Sequence, residues 1–95
     1  MNAKDYMAAY KAWEKELWAV NAREPRMPKI TLTEGSKKFR IRPYDSEYEV
    51  VEIEGGYCTR HYYFKPKSFL SRVKKALELS EKNMKRLRKW VGEDE

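Results

Sequence analysis

Between Lys29 and Phe64 the chain reads KITLTEGSKKFRIRPYDSEYEVVEIEGGYCTRHYYF, and the fold turns on how this stretch is divided. Apolar and polar residues alternate with the two-residue period of a strand, not the 3.6-residue period of a helix. Three clusters of turn residues interrupt the alternation. Gly35-Ser36 puts glycine at the first central position of a two-residue hairpin, and Gly55-Gly56 suits a two-residue primed turn. Asp45-Ser46-Glu47 closes the middle hairpin with three residues. The expected strands are therefore Lys29–Thr33, Lys37–Tyr44, Tyr48–Glu54 and Tyr57–Phe64.

Counting outward from these turns sets Leu32, Phe39, Ile53 and Cys58 side by side in one row, with Ile30, Ile41, Val51 and Arg60 in the next row of the same face. The other face pairs Lys38 with Glu54 and Arg40 with Glu52. Three turns read separately thus agree on one apolar and one polar face, the consistency expected of a sequence that specifies one sheet. Cys58, in the apolar row, reads as a small core residue.

Amphipathic helices flank the sheet. Asn2 suits an N-cap and Asp5 the first turn. Tyr6, Tyr10, Trp13, Leu17 and Val20 then form a stripe at helical spacing, ended by Pro25 and Pro28, so that Arg23 to Pro28 reads as an extended connector. From Ser68, a candidate cap, to Val91 a second stripe comprises Phe69, Val73, Ala76, Leu77, Met84, Leu87 and Val91. As one continuous helix it would span about 36 Å at roughly 1.5 Å per residue. Gly92 stops it, and Glu93-Asp94-Glu95 reads as a frayed acidic tail. Residues 1–95 then form one domain of order α-β-β-β-β-α: an α+β two-layer sandwich, a four-stranded antiparallel meander with both helices on its apolar face.

Charge narrows the classes of function. The net charge is +6, unevenly spread: ten basic and two acidic residues lie between Lys65 and Lys89, and five acids and no base between Asp45 and Glu54. Such asymmetry points to an anionic partner, or to a homodimer in which the acidic strand of one copy meets the basic helix of another. One cysteine and one histidine exclude a disulfide framework and most zinc sites, so no metal or cofactor is expected. There is no apolar run long enough to span a membrane and no signal-peptide pattern, and the expectation is a soluble, cytoplasmic protein.

Two surfaces carry the candidate chemistry. On the polar sheet face, Arg42, Val50 and His61 form one row and Tyr44, Tyr48 and Tyr63 the next, continued by Arg40 and Thr59. Basic and aromatic side chains side by side can clamp a phosphate backbone and stack bases. Without a site, the tyrosines are ordinary strand residues and the arginines pair with Glu49, Glu52 or Glu54. The second surface is the helix edge of Lys82, Lys85, Arg86 and Lys89, which can track phosphates or simply be solvated. Trp90 beside it is a binding residue if it misses the core. An enzyme is not expected. Arg60, His61, Tyr62, Tyr63 and Lys65 supply an acid–base palette, but they alternate onto opposite faces and cannot converge.

The segment Phe39-Arg40-Ile41-Arg42-Pro43-Tyr44-Asp45-Ser46-Glu47-Tyr48, with Tyr63-Phe64 leading to Ser68-Phe69 and Ala76-Leu77, resembles small phage and prophage accessory proteins. The resemblance covers about half the chain and implies binding and blocking of a host protein or nucleoprotein complex, defence systems included. The helix–strands–helix order is also similar to double-stranded-RNA-binding domains, but the fourth strand and the missing glycine-rich loop and paired lysines limit that likeness to architecture. The leading expectation is a non-enzymatic, anti-CRISPR-like inhibitor of a bacterial host's nucleoprotein or nuclease. The alternative is a module that binds DNA or RNA directly through the basic helix and the Arg/Tyr face.

Overall fold

A computed structural model describes residues 1–15 and 24–93. The elements are α1 (Ala3–Lys15), β1 (Ile30–Glu34), β2 (Lys37–Tyr44), β3 (Glu47–Glu54), β4 (Tyr57–Phe64), α2 (Phe69–Leu77) and α3 (Glu81–Val91). The strands form one antiparallel sheet in chain order. The helices pack on one face of it, where Leu32, Phe39, Ile41, Tyr48 and Val50 meet Ala3, Phe69, Val73, Leu77, Met84, Leu87 and Val91. This is the α+β meander with flanking helices that the periodicities predict.

The first hairpin has the expected register, Leu32 opposite Phe39 and Ile30 opposite Ile41, around Gly35 in a left-handed conformation. The second does not. Asp45-Ser46 alone makes the turn, with Asp45 at φ 57°, and Glu47 joins β3 opposite Tyr44. Aspartate tolerates this left-handed backbone better than most residues do. A two-residue turn slips β3 by one position, and in a strand one position exchanges the faces. Phe39 is therefore opposite Glu52 rather than Ile53, and Ile41 is opposite Val50 rather than Val51. Tyr48 and Val50, expected on the open face, are buried under the helices instead.

A second one-residue shift lies in β4. Gly55-Gly56 makes the expected turn and Ile53 pairs with Cys58, but a bulge follows and Glu52 pairs with Arg60. Thr59 is the extra residue, and its hydroxyl donates to Glu52 Oε2 at 2.6 Å. The two shifts cancel, so His61 and Tyr63 still share a face with Arg40, Arg42 and Tyr44. Cys58, however, is exposed rather than part of the core. Glu52, expected opposite Arg40, is buried on the helix side within 3.8 Å of Lys37.

The expected long helix is two helices. Glu78 turns left-handed (φ 51°), and Ser80 caps α3, its hydroxyl accepting from Asn83 N–H at 3.3 Å. In an unbroken helix Leu79 would point about 200° away from Leu77, towards water. The break puts Leu79 in the core. Burying a leucine is worth about 1.5–3 kcal/mol, which offsets the roughly 1–2 kcal/mol of one left-handed residue. The rest of the stripe is buried as predicted, except Ala76, which is exposed. Ser68 makes no side-chain cap.

Asn2 caps α1, its side-chain oxygen accepting from Asp5 N–H at 2.8 Å. Tyr6 is buried, with the Tyr10 and Trp13 rings in tilted contact in series beyond it. Leu17 and Val20, the rest of that stripe, lie outside the described residues, as do Arg23 of the connector and the last two residues of the acidic tail. Gly92 (φ 104°) ends α3 as expected, and Glu93 pairs with Lys4 at 3.0 Å. No helix among the described residues is long and apolar enough to cross a membrane.

Candidate binding face on the open side of the sheet

With the helices all on one side, alternation delivers Arg40, Arg42, Tyr44, Glu49, Val51, His61 and Tyr63 to the other. Arg42 and Glu49 are cross-strand partners, as are Glu49 and Tyr63, which makes Glu49 the hub of this face. Arg42 Nε–H donates to Glu49 Oε1 at 2.7 Å, and a terminal guanidinium N–H reaches Oε2 at 3.4 Å. His61 Nε2 lies 3.1 Å from Oε2, and the Tyr63 hydroxyl donates to the same oxygen at 3.5 Å. Three side chains over one carboxylate leave Glu49 only 6% exposed, although no helix covers it.

The electrostatics follow from this crowding. The hydrogen bond from Arg42 holds the Glu49 carboxyl below its ordinary range, against the opposing effect of burial. The same bond raises Arg42 further. Burial, then the neighbouring Glu49 charge, pushes the Tyr63 phenol up. Charge on this part of the face is thus internally matched: Arg42 is a bound counter-ion of Glu49.

The aromatic rings complete a platform. His61 and Tyr63 stack at 4.8 Å, Tyr44 and Tyr63 meet at 5.7 Å, and the Arg42 guanidinium sits 5.5 Å from the Tyr44 ring centre. Tyr44 and Tyr63 remain 48% and 51% exposed. Towards β1 a shallow depression of about 290 Å³ is lined by Lys29, Thr31, Arg40, Arg42, Glu49 and Val51, among others. Arg40 is exposed and has no carboxylate partner among the described residues.

The predicted site residues therefore divide. Arg40, Arg42, Tyr44, His61 and Tyr63 come together. Tyr48 does not: its ring lies 4.2 Å from Phe69 in the core, and burial pushes its phenol up to about 12. Trp90 packs against the core, 5.8 Å from Tyr48, and is no exposed anchor. Lys82, Lys85, Arg86 and Lys89 are exposed on α3, without a carboxylate partner among the described residues. They belong to the helical layer, so they face away from the Arg/Tyr platform. A molecule lying flat on one surface does not reach the other.

Glu49 is the important residue that a search for basic and aromatic groups misses as a site residue. Its signal was its place opposite Arg42, legible only with the correct β2–β3 register. Compared with family models, with curated proteins and with solved structures, the chain matches none.

Proposed function

We propose that this chain is a non-enzymatic binding protein that docks its open sheet face on a protein, blocking a host nucleoprotein complex or nuclease. The observation that carries this reading is the Glu49 hub. It binds the charge of Arg42 and locks the platform, leaving two half-exposed tyrosines and a half-buried Val51 as its contact groups. Rigid aromatic anchors with an arginine nearby are the composition of protein hot spots. A phosphate clamp favours free cations, and on this platform Arg42 is already paired. The resemblance to phage accessory proteins adds the context of a bacterial host and its defences.

A second reading, direct DNA or RNA binding, is supported by the exposed row of Lys82, Lys85, Arg86 and Lys89, which has no carboxylate partner among the described residues. One titration separates the two. Labelled single- and double-stranded DNA and RNA are titrated by fluorescence anisotropy at low and near-physiological salt. The protein-docking reading expects weak binding that disappears as salt rises, with Tyr44→Ala without effect. Submicromolar binding that weakens with salt yet persists at near-physiological salt, and that Lys85→Glu with Arg86→Glu abolishes, would instead establish the nucleic-acid module.

A further inference from the structure

The two edges of the sheet are not equivalent. A two-residue hairpin closes on a hydrogen-bonded pair, and in an antiparallel ladder such pairs alternate with unbonded ones. Counting from Gly35-Ser36, Thr33 in β1 turns its main-chain groups outward. That edge is capped at Thr33, with Thr31 its remaining outward-facing residue: Asn83 of α3 donates from Nδ2 to the Thr33 carbonyl at 2.8 Å and to Glu34 Oε1 at 2.6 Å. Ser80 N–H donates to the same Glu34 oxygen at 2.7 Å. β1 is also short, and Pro28 stands just ahead of it, with no N–H to offer.

Counting from Asp45-Ser46 instead, His61 and Tyr63 in β4 turn their main-chain groups outward. Among the described residues no side chain donates to or accepts from them. α2 packs on the helix side of β4 without closing its edge, and six of its eight residues are exposed. Native sheets cap, twist or charge such edges. Here the bulge at Thr59 spoils the first half of β4, and the stretch from Arg60 to Phe64 stays regular.

Charge selects what can add there. β4 carries Arg60 and His61, Lys65 follows it, and it has no acid. A second copy would set these bases against themselves on a chain of net charge +6. We infer that the β4 edge takes an extended, acidic segment of a protein partner as a fifth strand. Its main chain bonds to His61 and Tyr63 and its carboxylates face Arg60 and Lys65. This names the partner's chemistry and rests on the protein-binding reading above.

The test is selection of random peptides of about ten residues, the length of a long strand, against the whole chain. Binders are then compared on Tyr63→Ala and Tyr63→Pro. Both variants lack the phenol, and only proline lacks the outward N–H. The expected result is acidic binders that hold Tyr63→Pro about tenfold more weakly than Tyr63→Ala, the worth of one main-chain hydrogen bond. In the unmodified chain they should slow hydrogen exchange of the His61 and Tyr63 amides, a readout that stands even if the proline variant unfolds. Equal binding to the two variants, unprotected amides, binders without acidic residues, or no binders at all would overturn the inference. Binders lost with Tyr44→Ala and Arg40→Glu and weakened equally by Tyr63→Ala and Tyr63→Pro would overturn it while leaving docking on the open face intact. A dimer in sedimentation, broken by Tyr63→Pro, would show a second copy on the edge and equally overturn it. A chain that binds only nucleic acid would remove both readings.

Discussion

Replacing Glu49 with glutamine tests whether the platform is held by charge or merely by shape. The amide keeps the size and one acceptor, but it removes the charge that Arg42 meets at 2.7 Å. A hydrogen bond to a charged group contributes about 1.5–3 kcal/mol against about 0.5–1.5 for a neutral one. The Arg42 and His61 side chains are 40% and 44% exposed, so water screens part of that difference. Glu49→Gln should therefore cost about 1 kcal/mol at about pH 7, or a fall in Tm of about 4–8 °C for a domain of this size. The pH dependence gives a sharper check. The Glu49 carboxyl lies below its reference value of 4.5 in the folded chain. Its contribution is therefore complete above that value and is lost as pH falls through the lowered one. Urea unfolding followed by tryptophan fluorescence should show the gap between wild type and variant closing as pH falls from neutrality to well below 4.5. A gap that is the same at both pH values, or too small to measure at neutrality, would refute the charge-locked platform.

Two further predictions concern the packing between the helices and the sheet. Asn83→Leu should cost about 1–3 kcal/mol in urea unfolding, because it strips the Thr33 carbonyl and Glu34 of their buried donor. An unchanged midpoint would mean that α3 does not clamp the β1 edge. Tyr48, whose phenol is raised from 10 to about 12, contributes stability that is full below pH 10 and lost as pH climbs towards 12. The loss should amount to roughly 2–3 kcal/mol. Tyr48→Phe should flatten the alkaline limb of a pH–stability curve; an identical limb in the variant would refute the burial of that hydroxyl.

Much of the fold was legible in order along the chain. Strand and helix periods differ, glycine marks left-handed turns, and buried stripes such as Phe69, Val73 and Leu77 or Met84, Leu87 and Val91 follow from helical spacing alone. The candidate platform was half legible for the same reason: Arg40, Arg42 and Tyr44 share a face whatever β3 does. What single-chain spacing could not decide was which of two neighbouring turn lengths the middle hairpin adopts. A two- and a three-residue loop at Asp45 both leave an alternating β3, one burying Tyr48 and Val50 and the other Val51 and Ile53.

The sequence by itself therefore determined the elements, their order, the apolar stripes and the excess of positive charge, because these depend on residues close along the chain. Tertiary structure decided the rest. The helices bury Tyr48 against Phe69 and thereby select the shorter turn, which brings Glu49 opposite Arg42. Leu79 enters the same core only if the last helix breaks at Glu78. Asn83 then reaches the β1 edge, while no described side chain caps the outer edge of β4. Each outcome rests on contacts between residues far apart in sequence, whose burial energy exceeds the small local preference it overrides.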